Sequence, residues 1–369
     1  MWGFIVLLIL VLIYWRFFLT PKQKPLAKRI ASLPSQTQKN SAPLVAKPTM
    51  PSPIEIPLNR DSHEQLDNFQ LLQLEESDQK TLAKMQNVIQ SIPRPHPMIR
   101  SLLASNNSED LYKLVKSDAF IAAKVLQEIN SGQFYLSKKI TRLNHAILYL
   151  GANTIKNIAF QCLMNTTSAV KDKELKRALE KIWAHGFLAS SLAYVFAKNL
   201  GLTDAAELGT QALLSYVGNL AILYYDPSLS RSFDKDIMLL ERLTIEQQSL
   251  HTNAALVGSQ LAKAWNLPDV LINSIHDSLL PLATPAAQCT LQGSYLRNIV
   301  LCYLSCRVGE LILEHEMDDI TKLDLFDEDL IELYYLPDYF QMTGLNTIYN
   351  LLTKPAIQRE INKLIKNMT

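Results

Sequence analysis

Residues 145–163 read HAILYLGANTIKNIAFQCL, and the spacing of their apolar side chains decides the fold class. Ile155, Ile158, Ala159, Cys162 and Leu163 stand at i, i+3, i+4, i+7 and i+8, the stripe that one face of an α-helix buries. His145–Leu150 forms another helical stretch, stopped by Gly151, a residue free to turn left-handed. The same period continues on both sides. Upstream, Leu71, Leu74, Leu82, Met85 and Ile89 predict one or two helices between Leu66 and Ile92. Short helices follow around Met98–Ala104, Leu111–Val115 and Phe120–Ile129, the last ending at Asn130-Ser131-Gly132. Downstream a long helix runs from Lys173 to Asn199 before Gly201, and Asp204 with Glu207 resembles a capping box for the next one. Further apolar helices fall near 205–225, 237–247, 252–265, 268–278, 291–314, 327–335 and 344–366, with no alternating strands and no fixed repeat. The body is all-α.

The chain has 369 residues, 48% apolar and 19% charged, enough to bury a sizeable core. Eleven glycines and 8% aromatics exclude a collagen-like or wholly disordered chain. Lys and Arg number 36 against 35 acids, a net charge of +1, so a global basic field for nucleic acid is absent. The four cysteines, Cys162, Cys289, Cys302 and Cys306, contain no CxxC pair and read as reduced thiols in a cytosolic domain. The charge is unevenly spread. Residues 1–54 hold seven cations and no acid, which leaves −6 on the remainder.

The first fifteen residues, MWGFIVLLILVLIYW, carry no charge, and Phe17-Phe18-Leu19 extend the apolar run. Residues 1–19 reach the short limit for a spanning helix, about 17–20 residues. Trp2 at one end and Tyr14 and Trp15 at the other are placed as interfacial aromatics, and Arg16 can snorkel to the headgroups. A cleaved signal peptide would need basic residues before the apolar run and a small-residue cleavage site after it. Here the cations all follow the run. The positive-inside rule then keeps the C-terminal body in the cytoplasm, as a single-pass inner-membrane protein. Residues 20–60 form a basic linker that contains eight of the 17 prolines, a composition suited to a semi-flexible tether.

Within the helical body a series of motifs appears in a fixed order. Ile92-Pro93-Arg94-Pro95-His96-Pro97 is followed by Asp110-Leu111, Lys116-Ser117-Asp118, Lys124-Val125-Leu126, Ile129-Asn130-Ser131, Lys139-Ile140-Thr141 and Leu150-Gly151. Trp183-Ala184-His185-Gly186, then Ala212-Leu213-Leu214-Ser215-Tyr216-Val217-Gly218-Asn219-Leu220, then Val257-Gly258 and Trp265-Asn266-Leu267-Pro268 complete it. This order resembles the HDOD family, relatives of the HD metal-dependent phosphohydrolases generally regarded as non-catalytic bacterial signalling or regulatory modules. The resemblance implies lead-in helices over 61–91, an HDOD-like domain over 92–285 and C-terminal helices over 286–369 completing the same fold.

An HD-type site gathers imidazoles and a carboxylate around divalent metal to generate hydroxide. The resemblance places the family's central His-Asp pair at Ser215 and Tyr216, neither of which is a good divalent ligand, so no catalytic residue is assigned. His185, Ser215, Tyr216, His251, His276 and Asp277 remain as candidates lining a relict cleft. If any set held a metal it would be His185, His251, His276 and Asp277, since three imidazoles and a carboxylate suffice for zinc. Hydrogen-bonded structural histidines are the competing reading. Asp118 and Asn130 read as loop or cap residues, and Cys302 with Cys306 as buried structural thiols. The acids from Glu310 to Asp329 lack calcium-loop spacing. Lys171, Lys173, Lys176, Arg177 and Lys181 read as a solvated helix face, with contact to a nucleotide phosphate as the alternative.

These readings converge on a membrane-tethered, non-enzymatic module that needs no cofactor. It would bind a signalling protein partner or a small ligand such as a nucleotide at the cytoplasmic face of the inner membrane. The alternative is a residual metal phosphohydrolase acting on a nucleotide or cyclic dinucleotide.

Overall fold

The computed structural model describes residues 63–73, 79–91, 101–103, 105, 107–117, 119–130, 140–164, 170–234, 236–314, 317, 319–327 and 329–366. All of these fall within one compact unit, Pro51–Thr369. The expected span over 1–19, with Trp2, Tyr14, Trp15 and Arg16, lies outside the described residues, as do the 20–60 linker, Pro93, Pro95, Pro97, Asp118 and the Cys162 side chain. Among the described residues no helix is long and apolar enough to cross a membrane, and there is no strand.

Among the described residues the α-helices of six residues or more are α1 (Gln79–Ser91), α2 (Ser108–Lys116), α3 (Ala119–Ile129), α4 (Leu143–Leu150), α5 (Ala152–Met164), α6 (Lys173–Asn199), α7 (Ala205–Leu214), α8 (Val217–Tyr225), α9 (Leu239–Leu250), α10 (Ala254–Ala264), α11 (Asp269–His276), α12 (Gly293–Glu314), α13 (Leu336–Thr343), α14 (Thr347–Leu352) and α15 (Pro355–Lys366). The opening stretch of sequence behaves as its periodicity predicts. Ile155, Ile158 and Ala159 are buried on α5, and Gly151 ends α4 with φ +80°.

The core is built around α6. Asp172 caps its start by accepting from the Leu175 amide at 2.8 Å, and Gly201 follows its end at φ +72°. From His185 to Ala197 every residue but Tyr194 is buried, the mark of a helix enclosed on all sides. It packs chiefly against α7 and α12, whose own apolar residues from Leu296 to Ile312 are buried almost throughout. The C-terminal helices α14 and α15 also lean on α6, and α13 on α12. Helix α15 contributes only the narrow face of Ile357, Ile361 and Ile365.

Helices α8 and α10 cross at two glycines. A Cβ on Gly218 would lie 1.8 Å from the Ala254 carbonyl oxygen, and one on Gly258 would lie 3.1 Å from the Gly218 nitrogen. Only residues without side chains permit this approach.

Five expectations need correction. The described residues of 327–335 form a 3-10 turn, Ile331–Leu333, rather than an α-helix, and α13 begins only at Leu336. Leu71 is not helical: residues 69–73 form an irregular strap held by side chains of α9 and α10. Asp204 forms no capping box, because its backbone is not extended and its carboxylate accepts instead from Asn298 on α12 at 3.3 Å. The stretch 205–225 is two helices broken at Ser215–Tyr216. The apolar run expected at 344–366 is likewise two helices, since Pro355 has no amide proton to continue α14.

Candidate functional site

The break between α7 and α8 sets Ser215 and Tyr216 at the wall of a small internal cleft. The Ser215 hydroxyl turns back to donate to the Gln211 carbonyl at 3.0 Å. The Tyr216 phenol is buried and donates to the Cys306 carbonyl on α12 at 3.3 Å, and burial raises its pKa well above the ordinary value. Neither oxygen is offered to the cleft as an anionic ligand.

Arginines fill the space instead. Arg242 of α9 and Arg307 of α12 both line the cleft together with Ser215, Tyr216 and Asn219, and the cavity left between them is about 20 Å³. That is room for a water molecule, not for a nucleotide. Both guanidinium groups converge on Glu310. Arg242 Nη2 donates to its two oxygens at 3.1 and 3.2 Å, and Arg307 donates from Nη1 at 2.7 Å and from Nη2 at 3.0 Å. Burial works against the Glu310 charge, but the two guanidinium groups outweigh it and hold its carboxyl far below the usual range. Glu332 adds a second carboxylate 3.7 Å from Arg307, and Phe233 lies under the Arg242 guanidinium at 4.7 Å. All three members of the Arg242–Glu310–Arg307 set are buried.

Glu246, one turn beyond Arg242, is 1% exposed and faces the crossing of α8 and α10. It accepts from Asn219 Nδ2 at 3.2 Å and from the Ala254 amide at 3.0 Å. Burial pushes its pKa up to about 7, with Arg242 and the two hydrogen bonds opposing the shift.

The predicted candidates are scattered around this centre. His185 is 1% exposed on α6, and its ring stands 6.0 Å from that of Tyr216. Its Nε2 meets Glu314 Oε1 at 2.6 Å, while Glu314 Oε2 accepts from Lys181 at 2.6 Å. Its Nδ1 is buried without a hydrogen-bond partner. Lys181 thus leaves the expected solvated face. Of its neighbours, Arg177 pairs with Asp234 at 3.2 Å and Lys176 with Glu180 at 3.8 Å, both at the surface.

His251 is exposed, as the left-handed C-cap of α9 at φ +54°. His276 and Asp277 lie at the end of α11, where His276 Nδ1 and Asp277 Oδ1 are 2.8 Å apart and Tyr295 donates to Asp277 Oδ2 at 2.6 Å. Among the described residues no group of three or more His, Cys, Asp or Glu side chains is placed to hold a metal ion. The set His185, His251, His276 and Asp277 is therefore not brought together as a metal site. The donor chemistry at Ser215–Tyr216 agrees, because an incoming divalent cation would meet two permanent guanidinium charges.

Sequence reasoning missed Arg242, Glu246, Arg307, Glu310 and Glu332. The available signal was Arg307 and Glu310, an i, i+3 pair inside the apolar stretch of α12 from Ile299 to Ile312. Charges are rarely fully buried unless paired, so such a pair marks an internal contact. Asn130 proves to be a loop clasp: Nδ2 donates to the carbonyls of Leu126 and Ile140, and Oδ1 accepts from the Ile140 amide. Cys302 and Cys306 are buried, with sulfurs near the Leu208 and Ala212 carbonyls.

With fold and site in view, the chain can be placed among known proteins. It belongs to the HDOD domain family, which matches residues 90–279, just over half its length. An HDOD domain protein with unknown function from Geobacter sulfurreducens shares the fold at TM-score 0.53 and 16% identity, over 78% of this chain and 99% of that one. A candidate phosphohydrolase from Shewanella amazonensis is similar at TM-score 0.48 and 17% identity, over 78% and 98% of the two chains. An uncharacterized protein of Treponema pallidum (strain Nichols) is 22% identical over 215 residues, 56% of this chain and 41% of that one. The chain thus spans about two fifths of the length of this curated relative.

Proposed function

We propose that this protein is a membrane-tethered, non-enzymatic regulatory module that binds a signalling protein at the cytoplasmic face of a bacterial inner membrane. The observation that carries the non-enzymatic part is the Arg242–Glu310–Arg307 set, which fills the cleft beside Ser215 and Tyr216 with paired side chains. A phosphohydrolase would need that volume for metal and substrate. A cavity of about 20 Å³ also argues against a nucleotide held there. The tether rests on the apolar residues 1–19 and the basic, proline-rich stretch after them. Such a tether raises the effective concentration of the module near membrane-bound partners.

The test is in-cell crosslinking of the full-length protein beside a form lacking residues 1–19, with mass spectrometry of what is captured. A discrete signalling protein that requires residues 1–19 supports the reading. Stoichiometric divalent metal in the purified protein together with phosphodiester hydrolysis, both lost on His185→Ala, would overturn its non-enzymatic part. Capture that does not depend on residues 1–19 would overturn the tether.

A further inference from the structure

We propose that the corner between α9 and α10 is a peptide-binding site, which the chain fills with its own residues 70–72 and which an extended segment of a protein partner can take over. The site lies apart from the plugged cleft. It rests on the binding-module reading only in assigning the partner's chemistry; the release of the strap is read with no partner present.

Gln247 is the reading group. Its Nε2 donates to the Gln70 carbonyl at 2.9 Å, and its Oε1 accepts from the Leu72 amide at 2.9 Å. One carboxamide therefore takes the C=O of residue i and the N–H of residue i+2. A residue of a neighbouring parallel strand makes the same pair of bonds with its main chain. Asn253 adds a third bond, from Nδ2 to the Leu72 carbonyl at 3.1 Å, while its Oδ1 caps α10 at the Leu256 amide. Lys84 on α1 donates to the Ser249 carbonyl at 3.0 Å and fastens the other side of the corner.

Three features mark this as recognition of a peptide. The bonds reach across 175 to 181 residues of sequence, so they dock the strap on a distant part of the chain. All three go to main-chain atoms of the strap, the mode by which extended peptides are bound with little regard to their side chains. Residues 70–72 are irregular, so the strap carries no helix or strand that must melt before it leaves. Leu71 and Leu72 are half-buried, which adds apolar side chains to the backbone pattern the site accepts. The partner segment is thus an extended peptide with leucine-like residues at two adjacent positions.

The corner also faces inward. Gln247 follows Glu246, whose carboxylate holds Asn219 of α8 and the first amide of α10. Occupancy of the strap and the packing of the α8–α10 crossing therefore meet at two adjacent residues of α9.

The experiment uses the full-length protein and a fluorescent peptide of residues 66–75, LDNFQLLQLE. Leu72→Pro removes the amide that donates to Gln247 and frees the corner. The peptide is expected to bind the Leu72→Pro protein at least tenfold more tightly than the wild type, and to lose that gain in the Leu72→Pro, Gln247→Ala double variant. Hydrogen exchange at residues 70–72 is expected to rise in Gln247→Ala, a half-exposed site whose substitution leaves the core in place. The inference is overturned if the freed corner binds peptide no better than the wild type, or if exchange at 70–72 is unchanged by Gln247→Ala. Failure to capture a partner in cells would touch the functional reading and leave both measurements standing.

Discussion

Gly218 and Gly258 meet backbone to backbone, and at Gly218 no other residue type fits without moving a helix. A Cβ on Gly218 would fall 1.8 Å from the Ala254 carbonyl oxygen, and one on Gly258 would fall 2.9 Å from the Ile275 side chain as well as against Gly218 itself. The crossing of α8 and α10 is therefore set by the absence of side chains rather than by their interlocking.

Gly218→Ala should destabilise the protein by about 3 kcal/mol, the upper end for overpacking, because the obstruction is main chain and cannot rotate away. Thermal unfolding would show a midpoint lower by roughly 4–6 °C. A loss of a degree or less would mean that the two helices are free to move apart.

The Glu246 carboxyl gives stability a slope with pH. Its pKa is about 7 in the folded chain, against an ordinary value of 4.5. The folded state therefore holds a proton that the unfolded chain releases between pH 4.5 and 7. Stability should be greatest below that window and fall as pH rises through 7, by about 3 kcal/mol in all. Glu246→Gln should flatten the fall, and urea unfolding at pH 5 and pH 8 would show it. An unchanged slope in the variant would assign the proton to another group.

Lys156 acts in the opposite sense at higher pH. Its ammonium is buried and donates to the Leu103 and Ser105 carbonyls at 2.8 and 3.1 Å. Burial lowers its pKa to about 8 from 10.5. The unfolded chain then binds the extra proton between pH 8 and 10.5, so this group makes stability rise across that range. Lys156→Met should remove the rise, and a persistent rise would place its origin elsewhere.

Removing one member of the Arg242–Glu310–Arg307 set should be far worse than removing all three. Glu310→Gln leaves two guanidinium groups buried without their shared counter-charge, a loss of about 3–5 kcal/mol. Replacing all three by Met or Leu together with Glu332→Gln, which neutralises the carboxylate left beside Arg307, removes the charges together, and stability should recover to within about 1–2 kcal/mol of the wild type or exceed it. Chemical denaturation of both variants tests this. A single variant as stable as the wild type would show that water reaches the site.

Much of this fold was legible because its information is local. The stripe of Ile155, Ile158 and Ala159, the Gly151 stop and the start of the long helix at Lys173 all depend on neighbours within a turn or two. The order of motifs led to the family, and the motif containing Ser215 and Tyr216 led to the wall of the cleft. What fills the cleft was not legible. Arg307 and Glu310 left a local sign of an internal contact, but Arg242, 68 residues from Glu310, did not. The strap was misread for the same reason. Leu71 keeps a helical interval with its neighbours, but Gln247, far along the chain, takes the main-chain groups a helix would have used. His251 stands at helical spacing from Ala254, Ala255 and Gly258 in the sequence, yet the left-handed turn at its own position ends α9 there and leaves it exposed.

The burial of the Arg242–Glu310–Arg307 set has a further consequence. Ions in solution screen charges that face them, so surface pairs such as Arg177–Asp234 weaken as salt is added. Groups that small ions cannot approach keep their mutual attraction at nearly full strength. The electrostatic bond that joins α9 to α12 is thus far less sensitive to the ionic strength around the protein, and the two helices stay clasped at salt concentrations that loosen the surface pairs.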